Sequence, residues 1–99
     1  MSEKDFDLFE ILNEKSAKVI DVRTTAEFSS GNVKDSINIP VDQVVNSVDE
    51  FKSMSKPIVL CCASGARSAM AAEYLTNIGI GEVYNGGSWK DVEMQLIGK

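Results

Sequence analysis

Pro57-Ile58-Val59-Leu60-Cys61 is a run of five residues with no charged side chain. A strand with one wet face alternates apolar and polar residues, whereas an unbroken apolar run needs cover on both faces. The run therefore fits a strand in the middle of a sheet covered on both faces. The rest of the chain supplies the partners. Asp5 can cap a helix whose apolar side carries Leu8, Ile11 and Leu12, and Ala17 to Val22 reads as a second buried strand. Thr24 and Glu27 are spaced as a capping box for a short helix through Phe28 that stops near Gly31. Asp35 to Ile39 reads as a short strand closed by Pro40.

Val41 to Met54 fits two helical pieces burying Val44, Val45, Val48 and Phe51. Ala71, Tyr74, Leu75 and Ile78 form a stripe at helical spacing, ended by Gly79. Glu82 to Tyr84 reads as a last strand, Asn85-Gly86-Gly87 as a tight turn, and Trp89, Val92 and Leu96 as the core side of a closing helix. The alternation predicts an α/β class fold: a three-layer α/β/α sandwich around a mostly parallel sheet of about five strands. Length suits one domain over residues 1–99.

Fifteen acidic against ten basic residues give a net charge of −5. That balance repels nucleic acid and anionic membrane, and no apolar run is long enough to span a bilayer. A charged N-terminus without an apolar signal core points to the cytoplasm. The chain has no histidine, which removes Ser-His-Asp catalysis, Cys-His proteolysis and the commonest metal ligand. Two adjacent cysteines, Cys61 and Cys62, are too few for a closed zinc site, and neighbours on a strand point to opposite faces, away from a mutual disulfide. Neither metal nor organic cofactor is implied.

Chemistry is concentrated where the central strand ends, because ligands of open α/β sheets bind at the carboxyl edge. Cys62-Ala63-Ser64-Gly65-Ala66-Arg67-Ser68 lies between that strand and the next helix. Small side chains at Ala63, Ser64, Gly65 and Ala66 let the backbone curl into a bowl of N–H groups, and Gly65 is the member best suited to positive φ. Those N–H groups, the helix N-terminus and the charge of Arg67 all favour a Cys62 thiolate and an anion above it. Cys61, continuing the strand, reads as a small core residue. Ser68 either donates to the bound sulfur species or caps the helix. Arg23 either orients an anionic donor or pairs with Glu27 to brace the sheet edge.

The strand-Cys-x-x-Gly-x-Arg-Ser-helix pattern resembles the active-site loop of the rhodanese family. Val19-Ile20-Asp21-Val22-Arg23 with Glu27-Phe28 and Gly31-Asn32-Val33 resembles the family's first signature, Ile37-Asn38-Ile39-Pro40 follows in place, and Asn85-Gly86-Gly87-Ser88-Trp89 resembles the closing one. The resemblance covers nearly the whole chain. It implies a rhodanese-like fold and a sulfurtransferase in which Cys62 carries a persulfide. A small donor such as thiosulfate would supply sulfur, and cyanide, a thiol or the cysteine of an acceptor protein would take it. Ala63, Ser64, Gly65, Ala66, Arg67, Ser68 and Arg23 would contact substrate. A non-enzymatic persulfide carrier that docks on a partner is the alternative.

Two positions depart from the pattern. Asn32 stands where histidine is usual, and Ala63 where thiosulfate-using members often carry arginine, which weakens the case for a doubly charged donor. Cysteine phosphatases use a similar bowl, but their gap between cysteine and arginine is one residue longer than the four residues here. The tighter bowl suits a single sulfur better than a phosphate ester.

Overall fold

The computed structural model describes residues 6–96. Asp5 lies outside them, and Asp7 caps the first helix, α1 (Leu8–Asn13), its carboxylate accepting the Glu10 N–H at 3.2 Å. The order then runs β1 (Lys18–Asp21), α2 (Thr25–Ser29), β2 (Ile37–Asn38), a 3-10 helix (Val41–Ser47), α3 (Val48–Ser53), β3 (Ile58–Cys62), α4 (Ala66–Asn77), β4 (Val83–Ser88) and α5 (Trp89–Gln95). The strands form one parallel sheet in the order β2-β1-β3-β4. Among the described residues, four strands replace the roughly five expected of such an alternation.

β3 is paired along both edges, and all five of its residues are buried. Alternation along it sends Ile58, Leu60 and Cys62 to one face, with Ile20, Val22, Val44, Phe51, Ala71 and Leu75. Val59 and Cys61 go to the other, with Ile11, Leu12, Val19, Val33 and Val92. Each face is thus a separate core under its own helices, as an apolar strand without alternation requires. No helix among the described residues is long and apolar enough to cross a membrane.

The departures from the sequence expectation have local causes. Asp35 takes a φ of 68°, which no strand accommodates, so β2 shrinks to two residues. Val41–Ser47 coils as a 3-10 helix at three residues per turn, which keeps Val44 on the core side but turns Val45 outward, 55% exposed. α4 ends at Asn77, so Ile78 leaves the stripe and is exposed, while Ile80 is buried in the same core.

Asn85-Gly86-Gly87 is not a tight turn; all three residues lie within β4. Leu60 faces Asn85 but Cys61 faces Gly87, so Gly86 is the extra residue of a bulge. A Cβ on Gly86 would stand 2.6 Å from Val59 Cγ1, 2.8 Å from Val92 Cγ2 and 3.2 Å from the Leu60 carbonyl oxygen. Both side chains are fully buried. Gly86→Ala is therefore expected to destabilise the protein by about 1–3 kcal/mol, the range for overpacking a filled core. Urea denaturation would measure it, and a variant as stable as the parent would contradict the packing described.

Candidate active site

Cys62 is the last residue of β3 and Ala66 the first of α4, so only Ala63, Ser64 and Gly65 connect strand to helix. Gly65 is the N-terminal cap residue of α4, with φ of 102°, a conformation that other residues adopt only under strain. It also packs on the bulge: a Cβ there would lie 3.2 Å from Gly87 Cα. This close passage of two glycines folds the loop back over the strand end. Gly65 N–H donates to Cys62 Sγ at 3.0 Å. Ala63, Ser64 and Ala66 are exposed on the outside of the bend, whereas Cys62 is fully enclosed.

The two neighbouring thiols sit in opposite environments. Burial pushes the Cys61 thiol up to about 12, and the adjacent Asp21 carboxylate adds to the effect. Burial also opposes ionisation of Cys62. There, however, hydrogen bonds from Ser68 Oγ and from the N–H groups of Ser68, Gly65 and Ser64 outweigh it, and the thiol lies below its ordinary value. The difference follows from the pleat, which turns Cys62 toward the start of α4 and Cys61 toward the α1 and α5 core.

Ser68 does not cap the helix, since it lies inside α4 and Gly65 takes the cap position. Its hydroxyl is 3.5 Å from Cys62 Sγ and 2.6 Å from Asn85 Oδ1. Asn85 Nδ2 in turn donates to the Gly65 carbonyl at 3.2 Å. The sequence reads Asn85 only as part of a tight turn and of the closing signature, and it is the register of β4 on β3 that brings it beside the loop.

Arg67 lies at the rim and meets Glu27 in a bidentate pair, Nη1 to Oε1 at 2.8 Å and Nη2 to Oε2 at 3.0 Å. Glu27 closes the capping box of α2 with the same carboxylate, accepting the Thr24 N–H at 2.9 Å. The Arg67 guanidinium, with the Thr24 N–H second, holds that carboxyl at about 2. The loop's one cation is thus largely compensated by an anion from another helix.

Arg23 pairs with Asp21 rather than with the Glu27 carboxylate. Nε donates to both Asp21 oxygens at 3.0 Å, and Nη2 reaches Asp21 Oδ2 at 2.7 Å and the Gly31 carbonyl at 2.6 Å. Only the backbone carbonyl of Glu27 accepts from Nη1, at 3.3 Å. The guanidinium stacks 4.6 Å from the Trp89 ring centre, and Arg23 is 4% exposed. None of these partners belongs to the Cys62 loop, so Arg23 braces the carboxyl edge of β1. At the position where histidine was expected, Asn32 Nδ2 donates to the Phe28 carbonyl at 2.8 Å, tying the turn to the end of α2.

A cysteine of lowered pKa at a strand-to-helix bend, beside N–H donors and a clamped arginine, is the geometry expected of the loop pattern. A family model for the Rhodanese-like domain matches residues 7–94. The chain belongs to the rhodanese-like family. It is 37% identical over 71 residues to the uncharacterized protein YqhL of Bacillus subtilis, covering 72% of this chain and 56% of that one. It is 32% identical over 74 residues to the thiosulfate sulfurtransferase GlpE of Pseudomonas syringae pv. syringae, covering 75% and 69%. The chain therefore spans between about half and two thirds of these relatives. The crystal structure of a rhodanese-related protein from Thermoplasma volcanium superposes with a TM-score of 0.71 at 29% identity, covering 90% of this chain and 85% of that one.

Proposed function

We propose that this rhodanese-like protein is a sulfurtransferase that passes sulfane sulfur through a persulfide on Cys62. The observation that carries the reading is the contrast between two adjacent thiols, one enclosed without stabilising donors and the other beneath the N–H groups of the bend. In the first half-reaction the Cys62 thiolate attacks the outer sulfur of the donor. A bond forms from Sγ to that sulfur, the donor's own S–S bond breaks, and its electron pair leaves with the remainder, sulfite in the case of thiosulfate. The terminal sulfur of the persulfide is then an anion beside the N–H groups of Ser64, Gly65 and Ser68, fixed donors that need no reorganisation. In the second half-reaction a nucleophile attacks the terminal sulfur, and the S–S electron pair returns to Cys62 as thiolate. Cyanide serves in an assay, and a thiol or a protein cysteine serves as the cellular acceptor.

The environment of Arg67 bears on the donor. With Ala63 uncharged and Arg67 bound to Glu27, the loop offers little uncompensated charge to a dianion. Thiosulfate is accordingly read as an assay donor, and a singly charged persulfide or a partner protein as the physiological source. The same feature favours the alternative reading, a carrier that loads once and unloads only on a docked partner.

Steady-state thiocyanate formation from thiosulfate and cyanide separates these readings. The sulfurtransferase reading expects parallel double-reciprocal lines, the mark of a substituted-enzyme cycle, with KM for thiosulfate at or above about 1 mM, the weak end of the usual range. Intersecting lines would exclude the persulfide intermediate. Stoichiometric loading without turnover would select the carrier.

A further inference from the structure

Ser68 has one hydroxyl proton and three acceptors in reach. Asn85 Oδ1 lies at 2.6 Å, the Gly65 carbonyl at 3.2 Å and Cys62 Sγ at 3.5 Å. The shortest contact places that proton on Asn85 and leaves the sulfur with the weakest share. Asn85 is itself held in one orientation, because Nδ2 donates to the Gly65 carbonyl and Oδ1 accepts the Gly87 N–H at 3.0 Å. The Gly87 N–H would remain on Oδ1 if the Ser68 hydroxyl turned away. Ser68 can therefore swing its proton to the sulfur without leaving a buried amide oxygen unpartnered.

We propose that Asn85 is a positioning residue whose Oδ1 competes with Cys62 Sγ for the Ser68 proton, and so sets how tightly the loop holds the sulfur anion. The proposal rests on Cys62 as the nucleophile and adds a residue to its machinery. While Cys62 is a thiol, the hydroxyl stays with Asn85. Once the sulfur is anionic, as thiolate or persulfide, a charge-assisted hydrogen bond draws the hydroxyl across, against the loss of the 2.6 Å contact. A thiolate that is not fully stabilised keeps more of its nucleophilicity, which falls as thiol acidity rises. Asn85 thus holds the attacking sulfur back from overstabilisation.

Other charges near Cys62 stay in place when Asn85 is changed. Arg67 faces it from α4, with Glu27 of α2 behind, and Cys61 is its neighbour on β3, next to Asp21 of β1 and its partner Arg23. Residues 85–88 of β4 carry no charge, and the 3-10 helix and α3 present Val44 and Phe51 to this core. Asn85 also holds the Gly65 carbonyl, so a shift in Cys62 ionisation on changing Asn85 reports on the hydroxyl when it is lost in the Ser68→Ala background.

The test follows alkylation of Cys62 by iodoacetamide as a function of pH, read by intact mass with Cys62→Ser as blank. Wild type, Asn85→Ala, Ser68→Ala and the double variant are compared. The inflection is expected to fall by about half to one pH unit in Asn85→Ala, the shift one freed hydrogen bond to the thiolate gives. It should rise in Ser68→Ala, and the double variant should follow Ser68→Ala. An inflection that is unmoved or raised in Asn85→Ala would overturn the proposal, as would an equal fall in the Ser68→Ala background. Asn85→Leu fills the same space without an acceptor and is expected to shift in the same direction. If both Asn85 variants fail to fold, the residue is structural and the proposal is wrong. Alkylation needs no sulfur donor, so a protein that alkylates as expected yet never accepts sulfur would refute the sulfurtransferase reading separately.

Discussion

Asp21→Ala is expected to remove about 3–5 kcal/mol of stability, the cost of leaving one half of a buried ion pair without its partner. The carboxylate is wholly buried and accepts from Arg23 Nε, Nη2 and backbone N–H. Truncation leaves the guanidinium enclosed by Trp89 and two backbone carbonyls, without the carboxylate that pairs with it. A domain of this length has on the order of 5–15 kcal/mol in total, so the variant should lose a large share of its stability. Removing both charges is a different matter: Asp21→Ala with Arg23→Met should recover most of the loss, because the desolvation cost disappears with the pair. Urea denaturation of the parent, the single and the double variant measures this. A loss below about 1 kcal/mol in the single variant, typical of exposed ion pairs, would show that Arg23 is free to serve a ligand instead.

This pair matters to the site because it fixes what lies above it. Arg23 holds the Gly31 carbonyl and the Glu27 carbonyl, and so the position of α2 over the sheet edge. Asn38 reinforces the same edge, its Nδ2 donating to the carbonyls of Asp21 and Arg23 at 2.9 Å. α2 then presents the Glu27 carboxylate to Arg67. A stability element at the end of one strand is thereby connected, through three residues, to the charge at the mouth of the bowl.

What could be read from the sequence, and what could not, divides along the range of the interactions. The apolar β3 run specifies a central strand because its side chains have no alternative to burial, and the pleat alone separates Cys61 from Cys62. The capping box at Thr24 and Glu27 was legible because it is local. That Glu27 would also hold Arg67, forty residues away, was not, and the expected Arg23–Glu27 pair gave way to Asp21 two positions upstream. Val45 was misplaced because three and four residues per turn cannot be told apart over so short a segment. Asn85-Gly86-Gly87 carries the composition of a turn, yet the glycines serve close packing inside a bulged strand. That same bulge places Asn85 beside Ser68, a juxtaposition set by strand register and invisible to local pattern.

Cys62→Ser is expected to abolish sulfur transfer rather than weaken it. A serine hydroxyl in the same bend has the same N–H groups around it, but it does not ionise near neutral pH and forms no bond to sulfane sulfur under these conditions. Cys61 cannot substitute, since its thiol stays protonated up to about 12 and points into the opposite core. The most direct measurement is the intact mass of the protein after incubation with thiosulfate and removal of excess donor, for the parent and for Cys62→Ser. The parent should gain the mass of one sulfur and lose it again on addition of cyanide, while Cys62→Ser gains none. Equal behaviour of the two proteins, whether both load or neither does, would contradict a persulfide on Cys62.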